Sequence, residues 1–257
     1  MRQKYALKLP PNEPFQLAQD EAYFFLETAE GEKKVRFHDY AEIYRHAGLY
    51  EQLFYQRLKC QSPQKVGALL KKTVEESGAY FTQLRVLDVG AGNGMMGEVL
   101  MEYGVARLVG IDILPEAKHA AERDRPAVYD EYFVVNLTEM QPEELIQLQQ
   151  WHFDCMTTVA ALGFGDIPPK AFANAFNLIE ENGWIAFNIK ETFLSQKDNS
   201  GFSTFIKRLI LSDYLNLYHL ERYRHRLSID GIPIYYYAII GRKMRQIEEE
   251  FMAELHN

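Results

Sequence analysis

Cysteine is scarce in this chain: Cys60 and Cys155 are the only two among 257 residues. They stand far apart and lack metal-ligand spacing, which excludes a disulfide framework and argues for a reducing compartment. Long apolar runs are missing too. No stretch approaches the roughly 20 residues that a membrane-spanning helix needs, and the opening MRQKYALKLPPNEPF has no apolar core of a secretion signal. Cations are in deficit, with 28 Lys and Arg against 36 Asp and Glu, a formal net charge of −8. That balance disfavours a generic nucleic-acid or anionic-membrane partner and leaves room for a local basic patch. His38, His46, His119 and His152 share no spacing, so no metal site is expected. Repeats and low-complexity segments are absent. A soluble, cytoplasmic protein is the expectation, with no indication of its oligomeric state.

What is present is a 47% apolar fraction, enough at this length for one sizeable α/β domain with appendages, or at most two domains. Tyr23 to Leu26 is a β-prone run, and the turn residues 29–33 lead into Val35-Arg36-Phe37, which predicts a small hairpin. From His38 the pattern is helical, with Tyr40, Ile43 and Tyr44 on one face and Leu49, Leu53, Phe54 and Leu58 on another, broken at Gly48. Ser62-Pro63 reads as a helix N-cap and first turn, Val66, Leu69, Leu70 and Val74 as the buried stripe, and Gly78 as its C′ residue. After Arg85, strands are predicted near 85–89, 107–112, 132–136, 153–159 and 184–190. Helices are predicted between them near 94–103, 115–125, 142–150 and 168–181, with Gly104 and Gly183 as C′ caps. Such alternation argues for a parallel sheet covered on both faces. A further helix at 202–213 precedes an antiparallel pair, Tyr218 to Arg226 and Ile234 to Ile240. A last helix carries Ile247, Phe251 and Leu255.

The densest signal is Arg85-Val86-Leu87-Asp88-Val89-Gly90-Ala91-Gly92-Asn93-Gly94. A buried strand ends in an acid, and alternating glycines let backbone amides approach a small molecule. Gly92 to Gly97 also fits the dinucleotide fingerprint G-x-G-x-x-G. In that frame a strand should run directly into Gly92, yet Asp88 and Gly90 interrupt it, and Asp88 would oppose a pyrophosphate. Gly97 has a packing explanation, close approach of the first helix. An acid before the glycines suits a ligand with a cationic end, such as S-adenosylmethionine (SAM). A second strand, Leu108 to Ile111, ends in Asp112, a carboxylate placed to accept from both hydroxyls of a ribose. A hydride-transferring dehydrogenase stays as the weaker alternative.

With these motifs the chain resembles the class I SAM-dependent methyltransferases. Val86 to Gly97 is similar to their first motif, Val109 to Asp112 to the second, Val134 to Leu137 to the third, and Phe153 to Ala161 to the segment beyond it. Gly183 to Lys190 is similar to their fifth strand. The resemblance implies a Rossmann-like, seven-stranded, mostly parallel α/β sheet with an antiparallel last strand, beside the N-terminal β-hairpin and helical lid. The expected division is 1–61 for hairpin and lid, 62–243 for the SAM-binding domain and 244–257 for the C-terminal helix. By that resemblance Asp88 orients the SAM amino group, and the loop Gly90, Ala91, Gly92, Asn93 and Gly94 lines the methionine moiety. Asp112 holds the ribose, Ile113 packs on adenine, Leu137 offers its amide and Ala160 closes the pocket. Asn136 stands where many members carry Asp. Its amide oxygen as an acceptor for adenine and a plain strand-end turn are readings of equal weight.

Methyl transfer from a sulfonium mainly requires positioning and exclusion of water, with a base for oxygen or amine acceptors. Asp166 is the one candidate for that base, against its reading as an N-cap or turn residue. Tyr40, Tyr50, Phe164 and Asn188 are the candidate acceptor contacts, while Phe54, Tyr44 and the run Tyr235 to Tyr237 read as packing. The expected activity is SAM-dependent methyl transfer to a small molecule, with RNA or protein acceptors and a catalytically silent SAM-binding module as alternatives.

Overall fold

The computed structural model describes residues 4–10, 21–29, 31–163, 166–194 and 201–253. Leu255 and Phe164 fall outside them. The N-terminal hairpin is present as β2 (Tyr23–Thr28) and β3 (Gly31–Arg36), and β1 (Leu7–Lys8) adds a third antiparallel strand. At two residues β1 is too short to show an alternating pattern. Phe24, Leu26, Val35 and Phe37 pack under Ile43, Leu49 and Leu53, giving this part its own apolar core. Ile43 belongs to helix α1 (Tyr40–Arg45), and Leu53 to a π-helical segment, Glu51–Arg57. The wide turn matches the side chains. Leu53 and Leu58 are five apart, and the Leu58 amide donates to the Leu53 carbonyl at 3.0 Å.

Helix α2 (Ser62–Glu76) then crosses to the main sheet. Its N-cap residue is Gln61, not Ser62. The Ser62 hydroxyl is buried and turned away from the helix end, 2.7 Å from the Tyr223 hydroxyl and 2.6 Å from His225 Nδ1. Gly78 at φ +82° and Gly104 at φ +82° close their helices as expected. At the 182–183 turn the left-handed residue is Asn182, at φ +63°. Gly183 is there for close approach instead, since a Cβ would lie 2.8 Å from the Glu180 carbonyl oxygen.

The main sheet is built from β4 (Arg85–Val89), β5 (Arg107–Asp112), β6 (Glu131–Val134), β7 (Cys155–Thr158), β8 (Trp184–Lys190), β9 (Leu215–Leu227) and β10 (Pro233–Lys243). Its spatial order is β6-β5-β4-β7-β8-β10-β9. Every neighbouring pair from β6 to β8 is parallel, and β10 runs antiparallel to both of its neighbours. The architecture is the Rossmann-like one expected, with the last strand reversed. Period-two alternation sorts the strand residues between two layers. Helices α3 (Met95–Glu102), α4 (Pro115–Asp124), α5 (Pro142–Gln149), α6 (Pro169–Asn177) and α7 (Phe202–Leu211) follow α2 in chain order, and Leu87, Val89, Met156 and Ile185 face the side covered by α6 and α7. Val86, Cys155 and Ala186 face α2 and α3. Tyr236 and Tyr237 fall into opposite layers, so that run is two-sided sheet packing.

The chain winds outward from β4 through β5 to β6, then returns to start β7 on the other side of β4. Loops leaving the carboxyl ends of β4 and β7 therefore diverge, and a crevice opens where the winding reverses. No helix among the described residues is long and apolar enough to cross a membrane.

Candidate active site

The glycine loop fills that crevice. Gly90, Gly92 and Gly94 have φ of +67°, +53° and +87°, values that L side chains rarely adopt. Amides of Gly90 and Ala91 donate to the Ile111 carbonyl at 2.9 and 3.1 Å, which hangs the loop on β5. A Cβ on Gly90 would press on Ala161 at 2.8 Å, and one on Gly92 would run into the Tyr44 hydroxyl. The loop is thus gripped from both sides, by the segment after β7 and by the N-terminal lid.

Beneath the lid lies a cavity of about 410 Å³. Gly90, Ala91, Gly92, Asn93, Asp112, Ile113, Asn136, Leu137 and Ala160 line it on the sheet side, as do Tyr40 and Tyr50 on the lid side. Asp166 and His38 complete one part of the wall. Asp112 accepts from the Gly92 amide through Oδ2 and from the Leu114 amide through Oδ1, each at 3.0 Å. Burial raises its pKa against the pull of these backbone donors. Among the described residues no cation pairs with it, and its remaining lone pairs are suited to hydroxyl donors. Ile113 is 56% exposed, an apolar side chain left open at the cavity rim.

Four anticipated residues stand elsewhere or act differently. Asp88 is not on the cavity wall. It shares a sheet face with Val86, is 1% exposed, and both of its oxygens are taken, by Thr157 Oγ1 at 2.7 Å and Tyr129 Oη at 2.8 Å. Gly94 is set back against Arg125 and Tyr129. Asn188 is buried, accepting from the Ala160 amide at 2.6 Å and donating to the Tyr223 hydroxyl at 2.6 Å and to Ser62 Oγ at 3.1 Å. It holds the loop after β7 and leaves no polar atom for an acceptor. Asn136 does reach the cavity, yet its Oδ1 accepts from both the amide and the hydroxyl of Thr138, at 3.0 and 2.8 Å. These are the contacts of the turn, one of the two readings the sequence left open, and they leave the amide NH₂ as the group on the cavity side.

Two features were invisible in sequence. Arg125, 5% exposed, donates to Glu51 Oε1 at 2.7 Å, to the Asn93 carbonyl at 3.1 Å and to Glu98 Oε2 at 3.1 Å, and also touches Met95 Sδ. One side chain therefore clamps the π-helical lid segment to the glycine loop. The second feature is His38, whose Nδ1 lies 3.1 Å from Asp166 Oδ2 although 128 positions separate them. Asp166 caps no helix, since α6 starts with Pro168 as its N-cap. No spacing rule links residues so distant; only the lid's fold over the β7 loop brings them together.

The methyltransferase-domain family model matches residues 51–227. The chain belongs to the methyltransferase-domain family. Its cofactor is SAM, as the motifs of β4 and β5 imply. Over 113 residues it is 30% identical to a ubiquinone biosynthesis O-methyltransferase of Paraburkholderia phymatum, covering 44% of this chain and 47% of that protein. An uncharacterized protein of Haemophilus influenzae is 24% identical over 143 residues, 55% of this chain and 56% of that one. The chain thus spans about half the length of the curated relatives it matches. Among solved structures, the N-methyltransferase NodS of Bradyrhizobium japonicum with bound S-adenosyl-L-homocysteine superposes with a TM-score of 0.54 at 14% identity, over 81% of this chain and 98% of that one. A candidate RNA methyltransferase of Pyrococcus horikoshii also gives 0.54, at 13% identity over 72% and 87%. Identities this low establish the fold alone.

The methyltransferase cavity suits this cofactor on its own chemistry. Glycines at positive φ leave backbone where a Cβ would stand, and the Asp112 carboxylate faces the space beside the exposed apolar side chain of Ile113. Bulk, hydroxyl donors and a flat apolar ring have matching surfaces there.

Proposed function

We propose that the protein transfers the methyl group of SAM to the hydroxyl oxygen of a small molecule, with His38 as general base and Asp166 as its positioning partner. The observation that carries this reading is the His38–Asp166 pair on the same cavity that holds Asp112 and the glycine loop. Asp112 would hold the ribose, Ile113 the adenine face, and the Asn136 NH₂ and Leu137 would meet the adenine edge. Gly90 to Asn93 would carry the methionine end. Bound SAM supplies a methyl on a positively charged sulfur, which leaves as a neutral thioether once an acceptor oxygen has taken the methyl.

The remaining work belongs to the chain's own groups. In this reading the Asp166 carboxylate accepts from the Nδ1–H of His38, and Nε2 is the atom that would take the hydroxyl proton. Tyrosine is a poor competitor for that role. Burial pushes the Tyr40 and Tyr44 phenols well above their usual pKa and raises Tyr50 as well, so all three stay neutral donors near pH 7. Their rings, with Ala160 and Ala161, close the space and exclude water. The relative named as an O-methyltransferase supports oxygen as the acceptor atom. The net negative charge supports a small molecule over RNA.

Radiolabelled SAM incubated with a cell extract should put label into the small-molecule fraction. Label in RNA or protein would replace the acceptor class, and SAM binding with no transfer would mark a silent module. In the same assay His38→Ala should lower kcat by about 10²- to 10⁴-fold with the SAM dissociation constant unchanged. An unaltered kcat removes His38 as the base.

A further inference from the structure

A second, much smaller cavity of about 30 Å³ opens beside the first, and the two share His38, Tyr40, Tyr50, Ala160 and Asp166. None of the ribose and adenine residues, Asp112, Ile113 or Asn136, borders it. It is therefore an annex on the acceptor side, with space for about two waters or one carboxylate-sized group. Its far wall is Arg226, only 4% exposed. The guanidinium lies over the rings of Phe37 and Phe54 at 5.6 and 5.9 Å and donates to the neighbouring Leu227 carbonyl at 2.8 Å. Among the described residues no carboxylate pairs with it. A buried cation of this kind is costly unless an anion meets it, and a planar five-donor fork is suited to a carboxylate.

The other groups on the annex do not supply that anion. Asp166 is occupied by His38, and His225 is buried with its pKa held well below the usual histidine value, so it stays neutral. The rest of the wall is aromatic or apolar, including Phe37, Phe54 and Leu162. A ring that places a hydroxyl at His38 would be flanked by these aromatic side chains and end at the guanidinium.

We propose that Arg226 is a specificity residue for an anionic acceptor, and that the protein methylates a hydroxyl-bearing aromatic carboxylate whose carboxylate docks in this annex. The inference rests on the methyltransferase reading and names its substrate class.

The test uses the full-length protein with SAM and three hydroxybenzoates, the 2-, 3- and 4-isomers, each beside its uncharged hydroxybenzamide. Calorimetry in the presence of S-adenosylhomocysteine reads binding, and labelled methyl transfer reads turnover. At least one acid should bind and react roughly ten- to hundredfold better than its amide, the effect of one charged hydrogen-bonding partner. Arg226→Met should abolish that preference and Arg226→Lys should keep part of it. Thermal unfolding and SAM affinity of both variants separate a lost docking group from a lost fold. If Arg226→Met does not fold, the acid-over-amide ratio of the wild-type protein decides alone. Equal binding of acid and amide, no binding of either, or a preference untouched in a folded Arg226→Met would overturn the proposal. If SAM itself fails to bind the wild-type protein, the methyltransferase reading fails, whereas SAM binding without any acid preference rejects only the Arg226 assignment.

Discussion

Asp88 sits at the end of a strand with two hydroxyl donors and, among the described residues, no paired cation, and burial pushes its pKa up to about 6 from the usual 3.8. The folded protein therefore holds a proton on this group more tightly than the unfolded chain does. Its stabilising contribution is complete below about pH 4 and is lost as pH rises through 6. Asp88→Asn keeps the shape and has no such titration. The stability difference between variant and wild type, measured by chemical denaturation, should shift in favour of the variant from pH 4 to pH 7. The size expected is on the order of 2–3 kcal/mol, and a difference independent of pH would reject the buried-carboxyl assignment. Other carboxylates are common to both proteins and cancel. This residue also marks where the sequence stops being legible. Position and type were readable from the motif, but facing was not: period two puts Asp88 with Val86, toward Tyr129 and Thr157 and away from the ligand space. At Asn136 the sequence left an adenine acceptor and a strand-end turn open with equal weight, and the hydrogen bonds from Thr138 to its oxygen are those of the turn. His38 and Asp166 are each ordinary in sequence and become a pair only in three dimensions.

At the scale of elements, alternation of strand and helix was readable to within a few residues, because buried parallel strands and amphipathic helices leave strong local patterns. Departures occur where tertiary partners outbid a local rule. Ser62 gives up an N-cap role for a buried contact with Tyr223 and His225, and Glu51–Arg57 widens into a π-helix that seats Leu53 and Leu58 on the N-terminal core. The lid's attachment is likewise a tertiary event, carried by the Glu51–Arg125 pair, whose side chains are 5% and 2% exposed. Glu51→Ala strands a buried guanidinium, a change that typically destabilises by about 3–5 kcal/mol. The lower end is expected here, because Glu98 remains and Glu51 Oε2 has no partner to lose. Glu98 is 42% exposed, so Glu98→Ala should cost about 1 kcal/mol or less. Urea titrations of the two variants check the ordering. The Glu51 variant should also bind SAM more weakly, because Arg125 holds the Asn93 carbonyl; a rim variant equal to the buried one would mean that the clamp does not tie lid to loop.

At the scale of the whole molecule, the cavity has walls from two parts of the chain: His38, Tyr40, Tyr44 and Tyr50 from the lid, and Gly90, Asp112, Ile113 and Asn136 from the sheet. Protein contacts join the lid to the sheet. Leu227 donates to the Leu58 carbonyl at 2.7 Å, Gln61 donates to the His225 carbonyl at 2.9 Å, and Arg125 joins Glu51 to the loop. Lid and sheet should therefore unfold together, and a ligand seated between them should stabilise both. SAM at a hundred times its dissociation constant adds about 2.7 kcal/mol to a protein that binds it only when folded. For chains of this size about 2–4 °C of Tm accompanies each kcal/mol, so a rise of roughly 5–11 °C in one transition is expected by calorimetry, with no rise from NADH. Hydrogen exchange should slow together in residues 40–57 and in the glycine loop. Two separate transitions, with SAM shifting only one, would show instead that the lid folds as an independent unit and that the aromatic wall is not part of the cofactor site. A rise with NADH and none with SAM would return the glycine loop to its dinucleotide reading.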